Sequence, residues 1–403
     1  MNNDNKIIPQ YRFPEFKDDG SWQISPLSDK IDYERPDKYI VKNTNYINKG
    51  TPVLTANKSF VLGYTDENEG IYKDNLPVII FDDFTVDNKY VDFPFKVKSS
   101  AIKILKNKNE DDSLKFFYEL ISQIKFEAKE HKRYYISAFQ KIEIPVPTNP
   151  VEQQKIAACL SSLDDVIAGH EEKLTALEEH KNGLMQNLFP QDGETLPKYR
   201  FPAFVNDGDW NVVPFSKYIT LFRGSSPRPI VDFQTTDEDA VNWIKIGDTK
   251  NSIGYKLQYA EEKITHEGAK RSRPVVKGEI ILANSMSYGK AYILELNGCI
   301  YDGWFVLRNY EEFFDKNYLI QLLNSDYLQD QYKKLAAGGI VQNISSEIVY
   351  NTELFHTTKD EQQKIASVLS SMDELIVAQR EKIEALKEHK KGVMQGLFPK
   401  IKS

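Results

Sequence analysis

The sequence predicts an α+β protein: two globular mixed α/β domains joined by two long antiparallel coiled-coil helices with pseudo-two-fold symmetry. Three observations predict it. A long segment occurs twice, each copy carries an apolar seam of coiled-coil spacing, and the stretches between copies are strand-rich and unlike one another.

The repeat comes first. Glu152-Gln153-Gln154-Lys155-Ile156-Ala157 recurs as Glu361-Gln362-Gln363-Lys364-Ile365-Ala366. The match runs without a gap to Leu188-Phe189-Pro190 and Leu397-Phe398-Pro399, about 24 of roughly 40 positions being identical. A shorter repeat precedes each half: Tyr11-Arg12-Phe13-Pro14 with Trp22 and Pro26, echoed by Tyr199-Arg200-Phe201-Pro202 with Trp210 and Pro214. The layout is variable, constant, variable, constant.

Each constant segment reads as one helix. Ile156, Leu160, Leu163, Ile167, Leu174, Leu177, Leu184 and Leu188 keep the four-and-three spacing of a coiled-coil seam. Ile365, Leu369, Met372, Ile376, Ile383, Leu386, Val393 and Leu397 do the same. The polar interruptions also correspond: His170 with Gln379, and Lys181 with Lys390. Thr358 stands at capping-box distance from Glu361, and Asn149-Pro150 starts the first helix with proline at its first turn. Pro190 and Pro399 end them. About 36 residues at 1.5 Å each make a helix of roughly 54 Å. Two helices with one apolar stripe each bury those stripes together. A whole domain intervenes between them, so either orientation is topologically open, and the antiparallel one supplies an approximate two-fold axis.

The division expected is 1–148, first domain; 149–192, first helix; 193–357, second domain; 358–403, second helix. In the first domain strands are expected at 77–81, 90–95, 101–105 and 142–146, with a helix over 113–126 whose Leu114, Phe117, Leu120, Ile121 and Ile124 share a face. The second domain is expected to hold strands at 243–246, 279–283 and 304–307 and a helix near 317–335. Both read as mixed α and β around a mostly antiparallel sheet.

Bulk properties narrow the function. A chain of 403 residues suggests two or three domains. With 40% hydrophobic and 12% aromatic residues it has material for packed cores, which excludes a disordered protein. No apolar run reaches the roughly 20 residues needed to span a bilayer, so no membrane partner is expected. The N-terminus lacks the basic-then-apolar layout of a signal peptide. Cys159 and Cys299 lie far apart in apolar contexts, which fits buried thiols in a cytoplasmic protein and excludes a cysteine-based zinc site. A net charge of −7 argues against a uniformly basic nucleic-acid binder and leaves local patches to carry any such role.

Such patches exist in both variable domains. In the first, Lys129, His131, Lys132 and Arg133 lead into Tyr134-Tyr135, combining phosphate-binding charge with planar rings and hydroxyls. The loop around Lys58, Ser59 and Tyr64 adds short polar groups. In the second, Arg223, Ser225 and Arg228 bracket a tight turn, and Lys270, Arg271 and Arg273 form the densest basic stretch. Asn284, Ser285, Tyr288 and Lys290, with Gln342 and Asn343, stand on glycine-bearing loops. Asn and Gln can pair bidentately with adenine and Arg with guanine, so these residues are candidate base readers. Taken singly, each is also what an ordinary solvated loop looks like.

Catalytic signatures are missing. No Gly-x-x-x-x-Gly-Lys-Ser/Thr loop is present, nor a glycine-rich cofactor turn after a strand. Asp92-Phe93-Pro94-Phe95 superficially matches the Asp/Asn-Pro-Pro-aromatic loop of adenine methyltransferases, but its second position is Phe and its period-2 pattern reads as strand. His131, His170, His180, His266, His356 and His389 lack partners at ligand spacing, so no metal site is expected. The expectation is a chain without its own chemistry.

At these motifs the chain resembles the specificity subunits of type I restriction–modification enzymes over essentially its full length. The carrying features are Pro145-Val146-Pro147 leading into Glu152–Ala157, its copy Glu361–Ala366, the ends Gly183–Pro190 and Gly392–Pro399, and the opening Arg12–Phe16 and Arg200–Phe204. Gly339-Ile340-Val341-Gln342-Asn343-Ile344 is similar to the segment that closes a target-recognition domain; the first domain has no Gly-Gly-x-x-Gln-Asn counterpart. The resemblance implies two target-recognition domains, each reading half of a split, asymmetric site in double-stranded DNA, with the helices fixing the unread spacer. It implies two methyltransferase subunits that use S-adenosylmethionine and methylate adenine, and restriction subunits that use ATP and Mg. Unlike domains themselves predict an asymmetric site, because unlike surfaces cannot read identical half-sites. Two rival readings are a scaffold whose two heads bind proteins and a stand-alone nucleic-acid-modifying enzyme.

Overall fold

A short strand just after each Arg-Phe-Pro marker pairs antiparallel with the strand feeding each long helix, so every variable segment is closed by its own neighbours. The computed structural model describes residues 6–57, 59–128, 132–285, 289–336 and 344–400. They form two compact units: Met1–Gly169 with Glu384–Ser403, and His170–Ile383.

The first unit begins with β1 (Gln23–Pro26), α1 (Leu27–Lys30), β2 (Ile31–Glu34), β3 (Thr51–Leu54) and β4 (Val61–Thr65). There follow β5 (Val78–Asp82), β6 (Asn88–Val91), β7 (Lys96–Val97), β8 (Ile102–Asn107), α2 (Leu114–Ile121), β9 (Glu143–Val146) and the start of α3 (Pro150–Leu188). Its sheets have the orders β2-β8-β5-β6, β4-β3-β7 and β1-β9.

The second unit contains β10 (Asn211–Pro214), α4 (Phe215–Tyr218), β11 (Thr220–Arg223), β12 (Gln234–Thr235), β13 (Val241–Ile244), β14 (Lys256–Leu257) and β15 (Glu262–Ile264). Then come α5 (His266–Ala269), β16 (Arg273–Val275), β17 (Ile280–Ala283), β18 (Ala291–Leu294), β19 (Gly298–Ile300) and β20 (Trp304–Arg308). It closes with α6 (Lys316–Leu323), α7 (Asp326–Ala336), α8 (Ser346–Tyr350), β21 (Glu353–His356) and the start of α9 (Lys359–Leu397). Its sheets run β11-β20-β17-β18-β14, β12-β15-β13-β19-β16 and β10-β21. The order β2-β8-β5-β6 is thus repeated as β11-β20-β17-β18, although the sequences of these strands share no visible similarity.

Strand alternation explains the layering. On β5, Ile79 and Phe81 face a core shared with α2 and α3, while Val78 and Ile80 face a second core with Leu54 and Val97. On β17, Ile280 and Leu282 face the helices, and Ile281 and Ala283 face the core of the second sheet. A central strand buried on both faces must be apolar throughout, as both are up to their last residues.

Four expectations change, the first being the strand expected over 243–246, which runs Val241–Ile244. The strand expected over 90–95 ends at Val91, and Asp92-Phe93-Pro94 leaves the ladder, since proline has no N–H to give it. The helix over 113–126 stops at Ile121, where the Ser122 hydroxyl donates back to the Tyr118 carbonyl at 2.8 Å. The helix near 317–335 is two helices: the Asn324 side chain pairs with the Ala291 backbone, accepting at 3.1 Å and donating at 3.0 Å, and so breaks it.

Both constant segments are single 39-residue helices. In the first unit Ile156 and Leu160, at the start of α3, share a core with Leu397 and Phe398 at the end of α9. In the second, Leu188 at the end of α3 shares a core with Ile365 and Leu369 at the start of α9. Each unit therefore holds an antiparallel pair of helix segments. Ile156, Leu160, Ile167, Leu188, Ile365, Leu369, Ile376, Ile383 and Leu397 are buried, whereas Leu163, Leu174, Leu177, Leu184, Met372, Leu386 and Val393 are half-buried. Deep burial concentrates where a globular domain also covers the seam.

The polar interruptions have partners. Lys181 donates to Asp373 at 2.6 Å and to the Tyr255 hydroxyl at 3.2 Å; its repeat mate Lys390 donates to Asp164 at 2.7 Å and lies 3.4 Å from Glu119. Asp164 and Asp373 are themselves matching positions, so the repeat maps one ion pair onto the other. In both, a lysine ties the facing helix to a residue of the globular domain, Tyr255 or Glu119. Gln379 donates to His170 Nδ1 at 2.8 Å and to its carbonyl at 2.7 Å.

At the end of β21 the His356 ring stacks on Tyr218 at 6.2 Å and meets Phe314 edge-on. Burial holds its pKa below the ordinary histidine value. The unfolded chain therefore binds this proton more readily than the native one, and stability falls as pH drops from about 7 through the usual histidine range near 6.5. We expect a lower melting temperature for the second unit at pH 5.5 than at pH 7.5, and a smaller difference in His356→Gln. An equal drop in that variant would assign the loss elsewhere.

Candidate nucleic-acid interface

Where the central strand of each unit ends, three distant pieces of chain meet. The Asn284 N–H donates to the Gly303 carbonyl at 2.9 Å, and the Asn284 carbonyl accepts from the Ile344 N–H at 2.7 Å. In the first unit the Asp83 N–H donates to the Ala101 carbonyl at 2.8 Å, and the Asp83 carbonyl accepts from the Tyr134 N–H at 2.8 Å. The matched bonds make Tyr134 the counterpart of Ile344. Lys132-Arg133 and Gln342-Asn343 thus immediately precede equivalent residues, a correspondence the first domain's sequence does not reveal.

In the second unit the turn Tyr301-Asp302-Gly303 gathers the basic loops. Its Asp302 carbonyl accepts from Arg223 Nε at 3.2 Å and from the Asn284 amide at 2.9 Å. The Asp302 carboxylate accepts from Ser226 at 2.7 Å and lies 3.5 Å from Arg228. Ser225 donates to the Arg271 carbonyl at 3.3 Å, and Arg273 Nε donates to the Arg223 carbonyl at 3.1 Å. Gly224 makes this closeness possible, because a Cβ there would stand 2.0 Å from the Tyr301 carbonyl oxygen. Arg223, Arg228, Lys270 and Arg271 are exposed, set against Asp302 and Glu267. The local balance is positive on an acidic chain. Arg271 stacks over Phe233 at 5.1 Å, and Arg273 and Arg308 both lie 5.5 Å from the Phe222 ring. Guanidinium planes held this way lose less freedom when they meet a phosphate or a base.

The first unit is organised similarly. The buried Asp83 carboxylate accepts from the Tyr135 N–H at 2.8 Å and pairs with buried Lys103 at 3.1 Å, which pins the segment carrying Lys132 and Arg133. Arg133 lies over Phe84 at 5.9 Å. Thr85 donates to Asn57 at 3.2 Å, drawing the loop that continues to exposed Ser59 toward the same turn.

Several expected positions are corrected. Tyr135 is fully buried, its ring against Tyr33 and Phe81 and its phenol pushed to higher pKa by burial, so it supports the segment from within. Asn284 is 3% exposed, and its side chain holds the turn at 302 in place of facing outward. Tyr64 stands on β4 opposite Pro52, away from the hairpin tip near Ser59. Ser285 keeps its place at the rim, half-buried and 3.4 Å from the Tyr301 hydroxyl. Lys290 borders a separate hollow with Asn182, Gln186 and Asn324. Lys58, Lys129, His131, Tyr288, Gln342 and Asn343 lie outside the described residues.

The motif Glu-Gln-Gln has a role that spacing does not disclose. Buried Glu152 accepts from Arg12 Nε at 2.8 Å and Nη2 at 2.7 Å and from Trp22 at 3.3 Å. Buried Glu361 accepts from Arg200 at 2.8 and 2.9 Å and from Trp210 at 3.0 Å. The next glutamine accepts from the N-cap N–H of a domain helix: Gln153 from Ser113 at 3.0 Å, Gln362 from Asp315 at 2.7 Å. These residues seat each variable domain on its helix. The signal was present, since Arg, Trp and Glu-Gln recur together in both halves.

Residues 20–179 match the family model described as the type I restriction modification DNA specificity domain. The chain is 29% identical over 375 residues to the specificity subunit of the type I restriction enzyme EcoR124I/EcoR124II of Escherichia coli, covering 87% of this chain and 86% of that protein. It is 24% identical over 414 residues to the MjaVIII specificity subunit of Methanocaldococcus jannaschii, covering 94% and 92%. The fold is similar to the S subunit of the type I restriction–modification system of M. genitalium, with a TM-score of 0.62 at 14% identity over 98% of this chain and 100% of that one. A chain of a type I R-M system solved for its complex assembly and conformational transition gives a TM-score of 0.56 at 14% identity, covering 94% and 97%.

Proposed function

Since the chain belongs to the specificity subunits of type I restriction–modification enzymes, we propose that each unit reads one half of a bipartite, asymmetric site in double-stranded DNA. The observation that carries this reading is the pair of matched rims. Strand order and backbone hydrogen bonds are common to Asp83 and Asn284, Tyr134 and Ile344, while the side chains around them differ. A common frame with unlike side chains reads unlike half-sites.

The proposed contacts in the first unit are Lys58, Ser59, Lys132, Arg133 and Tyr134. In the second they are Arg223, Ser225, Arg228, Lys270, Arg271 and Arg273 with Ser285, Tyr288, Gln342 and Asn343. Arginine and amide side chains can pair bidentately with guanine and adenine, and lysines together with the remaining arginines supply phosphate contacts. Each long helix has 39 residues and is about 58 Å long. The chain supplies recognition and no chemistry of its own. S-adenosylmethionine belongs to the methyltransferase partners, ATP and Mg to the restriction partners, and the compartment is the cytoplasm. The test is affinity of the assembled methyltransferase for cognate and random duplex at fixed moderate salt; equal affinities would refute sequence-specific reading.

Two methyltransferase subunits are proposed to dock on the helices at Val166 and Leu375. These are matching positions of the repeat, 46% and 53% exposed, apolar side chains on otherwise polar helix faces. Val166→Asp with Leu375→Asp is expected to weaken capture of the methyltransferase at least about tenfold, with the melting temperature unchanged. Full capture by the double variant would place the docking surface elsewhere.

A further inference from the structure

Arg35 and Arg223 occupy the same point in two sheets of unlike sequence. Glu34 faces Ile104, which faces Ile80; Phe222 faces Val306, which faces Ile281. Ile80 and Ile281 each stand two residues before the end of the central strand, at Asp82 and Ala283. Glu34 and Phe222 are therefore counterparts, and the arginines that follow them, Arg35 and Arg223, are too. Both stand at the sheet end that carries Asp83 or Asn284 and the segment those residues hold.

Both guanidinium groups have an oxygen neighbour on the Nε side. The Arg35 side chain is 68% exposed, with Nε 3.2 Å from Asp37. Arg223 is exposed and donates through Nε to the Asp302 carbonyl at 3.2 Å. Nε of each lies beside one oxygen, as an exposed ion pair at Arg35 and as a hydrogen bond to backbone at Arg223, and among the described residues the Nη nitrogens of neither have a hydrogen-bond partner. A planar fork with its outer edge available suits bidentate binding of a phosphate.

We propose that Arg35 and Arg223 are equivalent phosphate anchors, one per reading unit, that set each unit's register on the duplex without reading bases. The physical reason is the contrast between them and their surroundings. Two surfaces that read different bases need different side chains, whereas the sugar-phosphate backbone is the same under both. A shared arginine amid unlike neighbours matches the shared ligand. Neither net charge nor local density marks Arg35, which sits next to Asp37 in an unremarkable loop; only the strand register equates it with Arg223.

This inference rests on the reading of the chain as a DNA-recognition subunit, and the test separates the two. The assembled methyltransferase carrying Arg35→Ala or Arg223→Ala is titrated with cognate and random duplex from 50 to 200 mM salt, and its methylated sequence is mapped. Each variant is expected to weaken both duplexes by the same factor. Each should also lower the slope of log affinity against log salt by about 1, with the methylated sequence unchanged. Lysine at either position should restore the slope. A changed base preference in one half of the site would make that arginine a base reader and overturn the proposal, as would unchanged affinity and slope. Absence of any cognate preference in the unaltered complex would instead sink the reading of function. Unchanged melting of each variant separates a lost contact from a lost fold.

Discussion

Replacing Glu361 by alanine is expected to destabilise the second unit by about 3–5 kcal/mol, because it strands a buried positive charge. The Glu361 side chain is 1% exposed and that of Arg200 9%, and the carboxylate also accepts from Trp210 and Thr357. Without it the guanidinium keeps only the Gly208 carbonyl, at 2.5 Å, among these partners. For a unit of this size the melting temperature should fall on the order of 10 °C. Glu361→Gln retains shape and one acceptor, so it should recover part of the loss. Calorimetry of both variants checks this; a fall in alanine smaller than about 1 kcal/mol would show that the clamp is incidental to stability. Glu152, which binds Arg12 and Trp22 in the same way, should behave alike in the first unit.

The second large effect concerns specificity. Exchanging residues 208–357 for the corresponding segment of a relative with another target is expected to change one half of the methylated sequence completely and leave the other intact. The structure favours such an exchange, because the segment is bounded by the β10–β21 pair and tied to α9 by contacts that involve repeated residues. Those are Arg200, Trp210, Glu361 and Gln362, and they have counterparts in the other half. Mapping methylated adenines reads the result, and a change in both halves would refute independent reading.

Most of the architecture was legible from residue spacing. The seams, their proline stops, the matching lysines and the strand runs at 77–81, 279–283 and 304–307 each follow from local periodicity, which depends only on a residue's near neighbours. Element ends were less legible. Asn324 breaks a helix through a bond to Ala291, a residue 33 positions away, and no window of neighbouring residues contains that partner.

The candidate interface shows the same division. Lys132, Arg133, Arg223, Arg228, Lys270 and Arg271 could be selected as basic loops, but Tyr135 and Asn284 share their composition and turn inward. Burial is set by which distant strands close over a side chain. No local pattern marks Arg35, whose equivalence to Arg223 lies in a register shared across three strands.

The sequence by itself therefore determined the duplication, the two helices and the presence of basic loops, because repeats and periodic stripes are properties of order along the chain. Tertiary structure alone decided which loops meet, which aromatic and amide side chains support them from beneath, and that two unlike domains share one frame. Hydrogen bonds such as those from Tyr134 to Asp83 and from Ile344 to Asn284 join residues far apart in the chain. Pairing of that kind is chosen by the global packing of the sheets, which local sequence does not encode.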